Sequence, residues 1–134
     1  IHGVGLQAHI TLGETESGQW LAKDKVEENV RRLGELGLIV HITEIDVRYA
    51  GEGNEGTYAQ QATDYSRFME VCLESEYCNA FVIWGITDKF SWLREADFVN
   101  NPDVNPLLFD DQYVAKPAYF ALVDLLSANV KAAE

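Results

Sequence analysis

The segment Leu38–Ile45 (LIVHITEI) is a nearly continuous apolar run that carries Glu44 close to its end. Runs rich in Val and Ile are typical of strands that are buried on both faces of a parallel sheet. Ala80–Ile86 has the same character, and Val4–Ile10 is a less continuous apolar stretch that we also interpret as a strand. We therefore predict three buried strands, with enough chain between them for a helix after each.

Three amphipathic helices fit between and after these strands. Apolar residues recur at spacings of three and four over residues 23–36, 57–75 and 116–128, which is the pattern of a helix with one buried face. In the first helix the apolar stripe is Val26, Val30, Leu33 and Leu36, and Gly37 follows where a helix would end. The order strand, helix, strand, helix, strand, helix predicts an α/β fold with a parallel sheet and right-handed crossovers.

The loops that follow the strands are long, and those that follow the helices are short. The long ones span residues 11–22, 47–56 and 87–115. In α/β barrels the active site lies in the loops after the strands, and a whole (β/α)8 barrel has eight strand–helix units in roughly 250 residues. The 134 residues hold three such units and begin on an apolar segment, so we expect residues 1–134 to be part of one longer domain.

Composition excludes several classes of partner. The chain has 10 Lys and Arg against 22 Asp and Glu, a formal net charge of −12. Nucleic acids and anionic membrane surfaces bind clustered cations, so neither is an expected partner. No apolar run approaches the roughly 20 residues of a membrane span. With 47% hydrophobic residues the chain can form a core and is not a disordered acidic segment.

Polar and aromatic residues collect at the end of each predicted strand. Because side chains alternate along a strand, Gln7 should share a face with His9, and Glu44 with Asp46. By the same rule, Trp84, Ile86 and Asp88 should share a face at the end of the third strand. Together these faces would place the following groups around one mouth: Gln7, His9, Glu44, Asp46 and Trp84.

Each of these residues also has a structural interpretation. His9 could be a hydrogen-bonded structural histidine, Asp46 a turn or helix cap, and Trp84 an ordinary core residue. Glu44 is the strongest functional candidate, because a carboxylate after an apolar strand is unfavourable to bury unless it is paired or used. A metal site formed by His9, Glu44 and Asp46 is the less favoured alternative, since a single histidine lacks a second clustered ligand.

Five segments, taken in order, resemble one enzyme family. The chain is similar to the carboxyl-terminal part of the family-10 glycoside hydrolases, which are xylanases with a (β/α)8 barrel. The resemblance implies that the three predicted units are barrel units six, seven and eight, and that no cofactor or metal takes part. The segments that carry it are 3–9 (GVGLQAH), 42–46 (ITEID), 82–92 (VIWGITDKFSW), 106–110 (PLLFD) and 116–119 (KPAY).

The resemblance assigns a role to each residue of the predicted mouth. Glu44 matches the catalytic nucleophile, His9 the histidine bonded to it, and Asp46 the aspartate that orients this histidine. Trp84 and Trp92 match aromatic residues around the sugars, and Gln7, on the same wall as His9, is the third residue expected to bind the substrate. The chemistry is that of a retaining glycosidase acting on xylan or xylo-oligosaccharides, which needs one carboxylate to attack the anomeric carbon and a second to protonate the leaving oxygen.

The second carboxylate is not at the expected place in these 134 residues. In the family it lies in an Asn-Glu motif at the end of the fourth strand. The pair Asn54–Glu55 occurs in a Gly-rich loop instead, and we interpret it as a turn. We therefore expect the chain by itself to be inactive, and to need the remaining barrel segment or to self-associate through its open strand edges.

Cys72 and Cys78 are the only cysteines. From the residues alone they could be two unpaired, partly buried thiols. The resemblance implies a disulfide between them, because members of the family often bridge these two places. A disulfide in turn implies a secreted, extracellular protein.

Two other functions stay open. The chain could be a non-catalytic carbohydrate-binding or structural module, with Trp84, Trp92 and Tyr113 forming a sugar-stacking face. It could also be one part of a split barrel that assembles with a companion segment. A segment with a strand that ends in Asn-Glu, in the same gene or in a partner chain, would favour catalysis over the binding module.

Overall fold

The computed structural model describes residues 1–95 and 103–132, the last two by their backbone alone. Over this part of the chain it has an α/β fold with parallel strands and three α-helices, as the sequence predicts. Two short 3-10 helices, Asp88–Phe90 and Trp92–Arg94, follow the last strand. The strands and α-helices are, in chain order, β1 Gly3–Leu6, β2 His9–Thr11, α1 Lys23–Glu35, β3 Ile39–Arg48, α2 Glu55–Glu74, β4 Cys78–Ile83 and α3 Pro117–Ala132.

β3 is the central strand of the sheet, and each of its neighbours runs parallel to it. β1 pairs with its first half, Gly3 opposite Ile39, and β2 pairs with its second half, His9 opposite Asp46. β4 pairs with β3 on the other side. The carboxyl ends of β2, β3 and β4 therefore lie at one end of the sheet, where the sequence placed the candidate site.

The predicted strand Val4–Ile10 is interrupted. The backbone of Ala8 adopts φ 65°, a left-handed conformation that is unfavourable for residues with a side chain, and β1 and β2 lie on either side of this kink. The prediction of one continuous strand is therefore wrong, and strand alternation does not relate Gln7 to His9.

The alternation of inward-facing and outward-facing side chains along β3 is broken once, just before the site. Its fully buried apolar residues are Val40, Ile42, Ile45 and Val47, which are two apart except for the step of three from Ile42 to Ile45. The pairing with β4 has a register irregularity in the same interval, which is the signature of a bulge. The bulge moves Glu44 to the face opposite Ile45 and Val47, the same face as Asp46.

The predicted strand Ala80–Ile86 ends early. β4 stops at Ile83, and Gly85 takes φ 136°, a conformation that essentially only glycine tolerates. Trp84, Ile86 and Asp88 therefore do not share a strand face, which corrects that prediction. Asp88 begins a 3-10 helix instead and is buried, whereas Ile86 is 69% exposed.

The helices cover one face of the sheet. α1 ends at Glu35 with Leu36 as its C-cap, and Gly37 follows with φ 81°. Leu36 is 75% exposed, so its predicted place in the buried stripe is wrong. Asn54 is the N-cap of α2, and its side chain accepts a hydrogen bond from the amide of Thr57 at 3.0 Å. The main buried cluster combines residues of the sheet and all three helices, among them Val30, Ile42, Tyr65, Phe68 and Leu122.

Cys72, near the end of α2, forms a disulfide with Cys78, at the start of β4. The predicted pairing is present in the structure. Over the described residues, none of the helices has the length and apolar character that crossing a bilayer would require.

Candidate active site

Glu44, His9 and Asp46 form a contact chain at the carboxyl end of the sheet. His9 Nε2 lies 3.4 Å from Glu44 Oε2, and His9 Nδ1 lies 2.9 Å from Asp46 Oδ2. The imidazole thus stands between two carboxylates. A carboxylate cannot donate a hydrogen bond when it is ionised, so with both ionised, each contact needs an N–H on the imidazole.

Backbone hydrogen bonds fix the relative position of the three residues. The amide of Glu44 donates to Gln7 O at 3.1 Å, and the amide of Asp46 donates to Ala8 O at 3.3 Å. The kink at Ala8 therefore lies beside the two acidic residues. The side-chain hydroxyl of Thr43 adds a bond to Leu6 O at 3.2 Å.

The two acidic residues lie in different environments. Glu44 and His9 keep about a quarter and a fifth of their side-chain surface exposed, whereas the Asp46 side chain is 0% exposed. Burial raises the pKa of Asp46 above its ordinary value, and the hydrogen bonds from Trp92 and His9 oppose this rise. Glu44 is the carboxylate that a ligand could reach, and Asp46 is a buried partner of His9.

Trp92 is closer to this cluster than the sequence indicated. Its indole Nε1 donates to Asp46 Oδ2 at 3.0 Å, and its ring centroid lies 4.9 Å from that of His9. The sequence predicted a sugar-stacking residue, and no sequence signal pointed to the hydrogen bond, because Asp46 and Trp92 are far apart along the chain.

Trp84 and Gln7 lie at the same end of the sheet. The Trp84 amide donates to Ile45 O at 3.0 Å, which places this residue just beyond β4 and next to the acidic end of β3. Its side chain is 45% exposed. Gln7 joins the cluster through its carbonyl, and its side chain is exposed. Both predicted sugar-binding residues are thus accessible to a ligand.

Of the remaining candidates, Tyr113 is exposed and Asp88 is buried. Tyr113 lies in the loop before α3, and Asp88 is held in an ion pair with Lys116 at 2.9 Å, not on a strand face shared with Trp84 as the sequence predicted. In the described ranges, 1–95 and 103–132, no group of three or more His, Cys, Asp and Glu residues could hold a metal ion.

The arrangement can perform nucleophilic chemistry on a neutral ligand. The accessible carboxylate of Glu44 contacts His9, and His9 in turn contacts the buried carboxylate of Asp46. Exposed indole rings lie at the same end of the sheet, and such rings pack well against the apolar faces of sugar rings.

Comparison with known proteins points to one family. The family described as glycosyl hydrolase family 10 matches residues 1–125. The chain is 35% identical over 132 residues to endo-1,4-beta-xylanase B of Thermotoga neapolitana, covering 98% of this chain and 36% of that protein. It is also 35% identical over 133 residues to endo-1,4-beta-xylanase B of Neocallimastix patriciarum, covering 99% of this chain and 14% of that one.

Solved structures agree with the sequence relatives. Xylanase 10B from Thermotoga petrophila RKU-1, in complex with xylobiose, matches with a TM-score of 0.82 and 32% identity over 96% of this chain and 37% of its own. Native xylanase 10B from Thermotoga maritima matches with a TM-score of 0.84 and 32% identity over 98% and 38%. The chain thus spans little more than a third of these structures. With residues 1–125 of its 134 matched by the family, the chain belongs to glycosyl hydrolase family 10.

Proposed function

We propose that the chain forms units six to eight of the (β/α)8 barrel of a retaining endo-1,4-β-xylanase, with Glu44 as the nucleophile. The observation that carries the proposal is the Glu44–His9–Asp46 chain of contacts at the carboxyl end of the sheet. The named relatives are endo-1,4-beta-xylanases, and the chain spans only part of each. The acid/base carboxylate then comes from a barrel unit outside these 134 residues.

In this mechanism the Glu44 carboxylate attacks the anomeric carbon of a bound xylose unit. The bond to the leaving oxygen breaks as the acid/base group protonates that oxygen, and a glycosyl ester forms on Glu44. Water, deprotonated by the same acid/base group, then releases the sugar with its configuration retained. An N–H from His9 holds the Glu44 carboxylate in its attacking position, and Asp46 keeps His9 in the orientation that allows this.

The substrate part of the proposal rests on the relatives and on the aromatic residues of the mouth. The Thermotoga petrophila enzyme was crystallised with xylobiose, a disaccharide that offers an apolar ring face to an indole. Trp84 and Trp92 have exposed surface at the site, and the exposed Gln7 side chain can hydrogen-bond sugar hydroxyls. We propose that these three residues contact xylan or xylo-oligosaccharides.

The surface of the sheet supports the need for a companion segment. In the described part of the chain, β1 and β4 each pair only with β3, and unpaired strand edges invite further pairing. Beside β1, a groove of about 720 Å³ has a largely apolar lining that includes Leu6, Trp20 and Val26, and it reaches the site at Gln7 and His9. We propose that the remaining barrel units cover the apolar part of this groove and both edges, and leave Gln7 and His9 open to the substrate.

The Cys72–Cys78 disulfide supports an extracellular location. Disulfides persist in oxidising compartments and are rare in the cytosol of ordinary cells. We therefore propose that the protein is secreted, as is useful for an enzyme whose polymeric substrate lies outside the cell.

The test of Glu44 is chemical rescue in a barrel that is completed by the missing units, either fused or mixed. Glu44→Ala should abolish activity on xylan, because no glycosyl ester can form. Azide added with an activated aryl xyloside should restore turnover and give a glycosyl azide of inverted configuration. Glu52→Ala is the matched control, since Glu52 is an exposed carboxylate in the loop after the same strand, and it should keep full activity.

A rescued product of retained configuration would assign Glu44 as the acid/base group instead. That result would contradict both the nucleophile assignment and the placement of the three units as the last in the barrel. If Glu44→Ala kept substantial activity without azide, Glu44 would not be catalytic.

The isolated chain gives a separate prediction. It should show no turnover on xylan or on an aryl xyloside, because it lacks the general acid and half of the sugar-binding surface. Its open edges should cause self-association that is detectable by light scattering, and addition of the companion segment should shift the fluorescence of Trp20, which is 70% exposed. A stable monomer that melts cooperatively at high concentration would contradict the self-association.

Carbohydrate binding without hydrolysis is the second candidate function, and the exposure of Trp84, Trp92 and Tyr113 favours it. If it holds, the chain should bind insoluble xylan in a pull-down assay with unchanged affinity after Glu44→Ala. Trp84→Ala should weaken that binding. A completed barrel that binds xylan but does not cleave it would favour this function over catalysis.

A further inference from the structure

We infer that Trp92 is a positioning residue for His9, in addition to any contact that it makes with a sugar. Its indole N–H and an N–H of His9 bind the same oxygen of Asp46, so the indole fixes the carboxylate that orients the histidine. The catalytic consequence of this inference rests on the proposed function, but the hydrogen bond itself does not.

The geometry joins three side chains at one atom. Asp46 Oδ2 lies 3.0 Å from Trp92 Nε1 and 2.9 Å from His9 Nδ1. The two rings pack against each other with an interplanar angle of 58°. Because both donors converge on Oδ2, a rotation of the Asp46 carboxylate that breaks one bond also breaks the other, and the three side chains hold a single arrangement.

The two hydrogen-bond donors are important for keeping the Asp46 carboxylate ionised and in place, because it has little other stabilisation. Its side chain is fully buried, and its other oxygen, Oδ1, has no hydrogen-bond partner within the described residues. Burial raises its pKa, and the Trp92 hydrogen bond is the foremost effect that opposes the rise. Removal of the indole N–H would leave a buried anion with one donor fewer, which favours protonation or rotation of the carboxylate.

Trp92 is itself held from outside the sheet. It begins a 3-10 helix whose cap is Ser91, and Arg94 two residues later donates to Val104 O at 3.1 Å and to Asn105 Oδ1 at 3.1 Å. The indole therefore transmits the position of the segment after β4 to a residue of β3. This link is distinct from sugar stacking, which uses the face of the ring rather than its N–H.

Trp92→Phe separates the two roles, because phenylalanine keeps an aromatic face and lacks the N–H. The matched control is Trp84→Phe, which makes the same chemical change at the same mouth, on a residue that does not carry the Asp46 hydrogen bond. The probe is the ¹⁵N and ¹H spectrum of this chain labelled in its three tryptophan and three histidine rings, alone or mixed with an unlabelled companion segment.

In the unsubstituted chain, the Trp92 indole proton should exchange with solvent at least about tenfold more slowly than that of the exposed Trp20. Asp46→Asn should move the Trp92 indole resonance and leave that of Trp20 in place. Trp92→Phe should shift the ring nitrogens of His9, and Trp84→Phe should not. Equal exchange of the two indoles, or equal His9 shifts in the two phenylalanine variants, would overturn the inference.

Kinetics in the completed barrel add a second readout. Trp92→Phe should lower kcat about tenfold with little change in KM, the loss expected when a group that acts through another is misplaced. A change in KM alone would mean that Trp92 only binds sugar, and would overturn the positioning role. If no variant or parent is active, the proposed function fails, and the spectra still decide whether Trp92 orients His9 through Asp46.

Discussion

Two aspartates of this chain are equally buried but differently paired. Asp46 is 0% exposed and Asp88 is 1% exposed. Each oxygen of Asp88 has its own donor, the Leu107 amide at 2.7 Å on Oδ1 and Lys116 Nζ at 2.9 Å on Oδ2. Both donors of Asp46 bind Oδ2, and Oδ1 is without a hydrogen-bond partner in the described residues.

The partners differ in charge as well as in number. Lys116 brings a full cation to Asp88, and its ammonium also donates to Asn105 O at 3.2 Å and lies 5.3 Å from the Tyr49 ring centroid. Burial raises the pKa of Asp88 and lowers that of Lys116, and their mutual attraction opposes both shifts. The hydrogen-bond donors to Asp46 in the described residues are an imidazole and an indole, and Arg48 adds only the last-ranked of the effects that oppose the rise in its pKa. Its charge is therefore compensated less completely.

The contrast indicates that Asp88 has a structural role and that Asp46 belongs to the candidate active site. Asn105 accepts from Lys116 and also from Gln61 of α2 at 2.9 Å, so the Asp88 ion pair belongs to a network that joins α2, the residue before α3 and the segment after β4. Asp46 belongs to a short chain that ends at the accessible Glu44. Incomplete compensation of charge is characteristic of functional groups, and substitutions at Lys116, Asp88 and Asp46 test whether it distinguishes the two aspartates.

The largest effect on stability should come from Lys116→Met. This change leaves the Asp88 charge buried without its cation, which typically costs about 3–5 kcal/mol of the free energy of unfolding. Urea unfolding of the variant and its parent in the same background measures the loss.

The double variant Lys116→Met with Asp88→Asn is the control. Asparagine keeps an oxygen for the Leu107 amide, and the buried charge is gone, so the double variant should recover more than half of the loss. Losses that simply add would show that Lys116 contributes through packing rather than through the ion pair.

Asp46→Asn should have the opposite effect on stability at neutral pH. The oxygen of the amide can still accept from His9 and Trp92, and its nitrogen takes the place of the unpartnered Oδ1. Because burial raises the pKa of Asp46, the neutral asparagine should unfold at a higher urea concentration than the parent at pH 7. The same change should lower the activity of the completed barrel by roughly 10²-fold or more, since His9 loses its charged partner.

The same argument predicts how the stability difference between Asp46→Asn and the parent changes with pH. A carboxyl group whose pKa is higher in the folded than in the unfolded chain makes the folded chain bind more protons. The parent therefore loses stability as the pH rises from the unfolded value, about 3.9, through the folded pKa of Asp46. The advantage of Asp46→Asn should grow over this interval and stay constant above it. An advantage that is independent of pH would mean that ionisation of Asp46 is not its source.

The sequence predicted most of the fold because its signals are local. Apolar spacing located the three helices, and the run Leu38–Ile45 located the central strand. It could not show that Ala8 breaks the first strand, because alanine has no preference for left-handed backbone. It also could not show where β4 ends, because the apolar run continues to Ile86 while the backbone turns at Gly85.

The sequence likewise predicted some contacts of the candidate site and missed others. The structure brings His9, Glu44 and Asp46 together, and they lie near strand ends that a parallel sheet places side by side. Asp88 was placed on the wrong face, because its true partner, Lys116, is 28 residues away and no periodicity links them. The Trp92 hydrogen bond was missed for the same reason, since a non-local contact between two polar groups leaves no pattern in the chain.

The smallest effect should come from Ala8→Gly, at the kink beside the two acidic residues of the site. Glycine removes the strain of the left-handed conformation, about 1 kcal/mol, but increases the entropy of the unfolded chain by a similar amount. The free energy of unfolding should therefore change by no more than about 0.5 kcal/mol. Ala8→Val should reduce it by about 1–2 kcal/mol, because a β-branched side chain suits this conformation least. The bonds from the Glu44 and Asp46 amides to Gln7 O and Ala8 O should make this loss appear also as faster hydrogen exchange at those two amides. If Ala8→Val were neutral in both measurements, the kink would adapt freely, and the position of His9 between the two carboxylates would not depend on it.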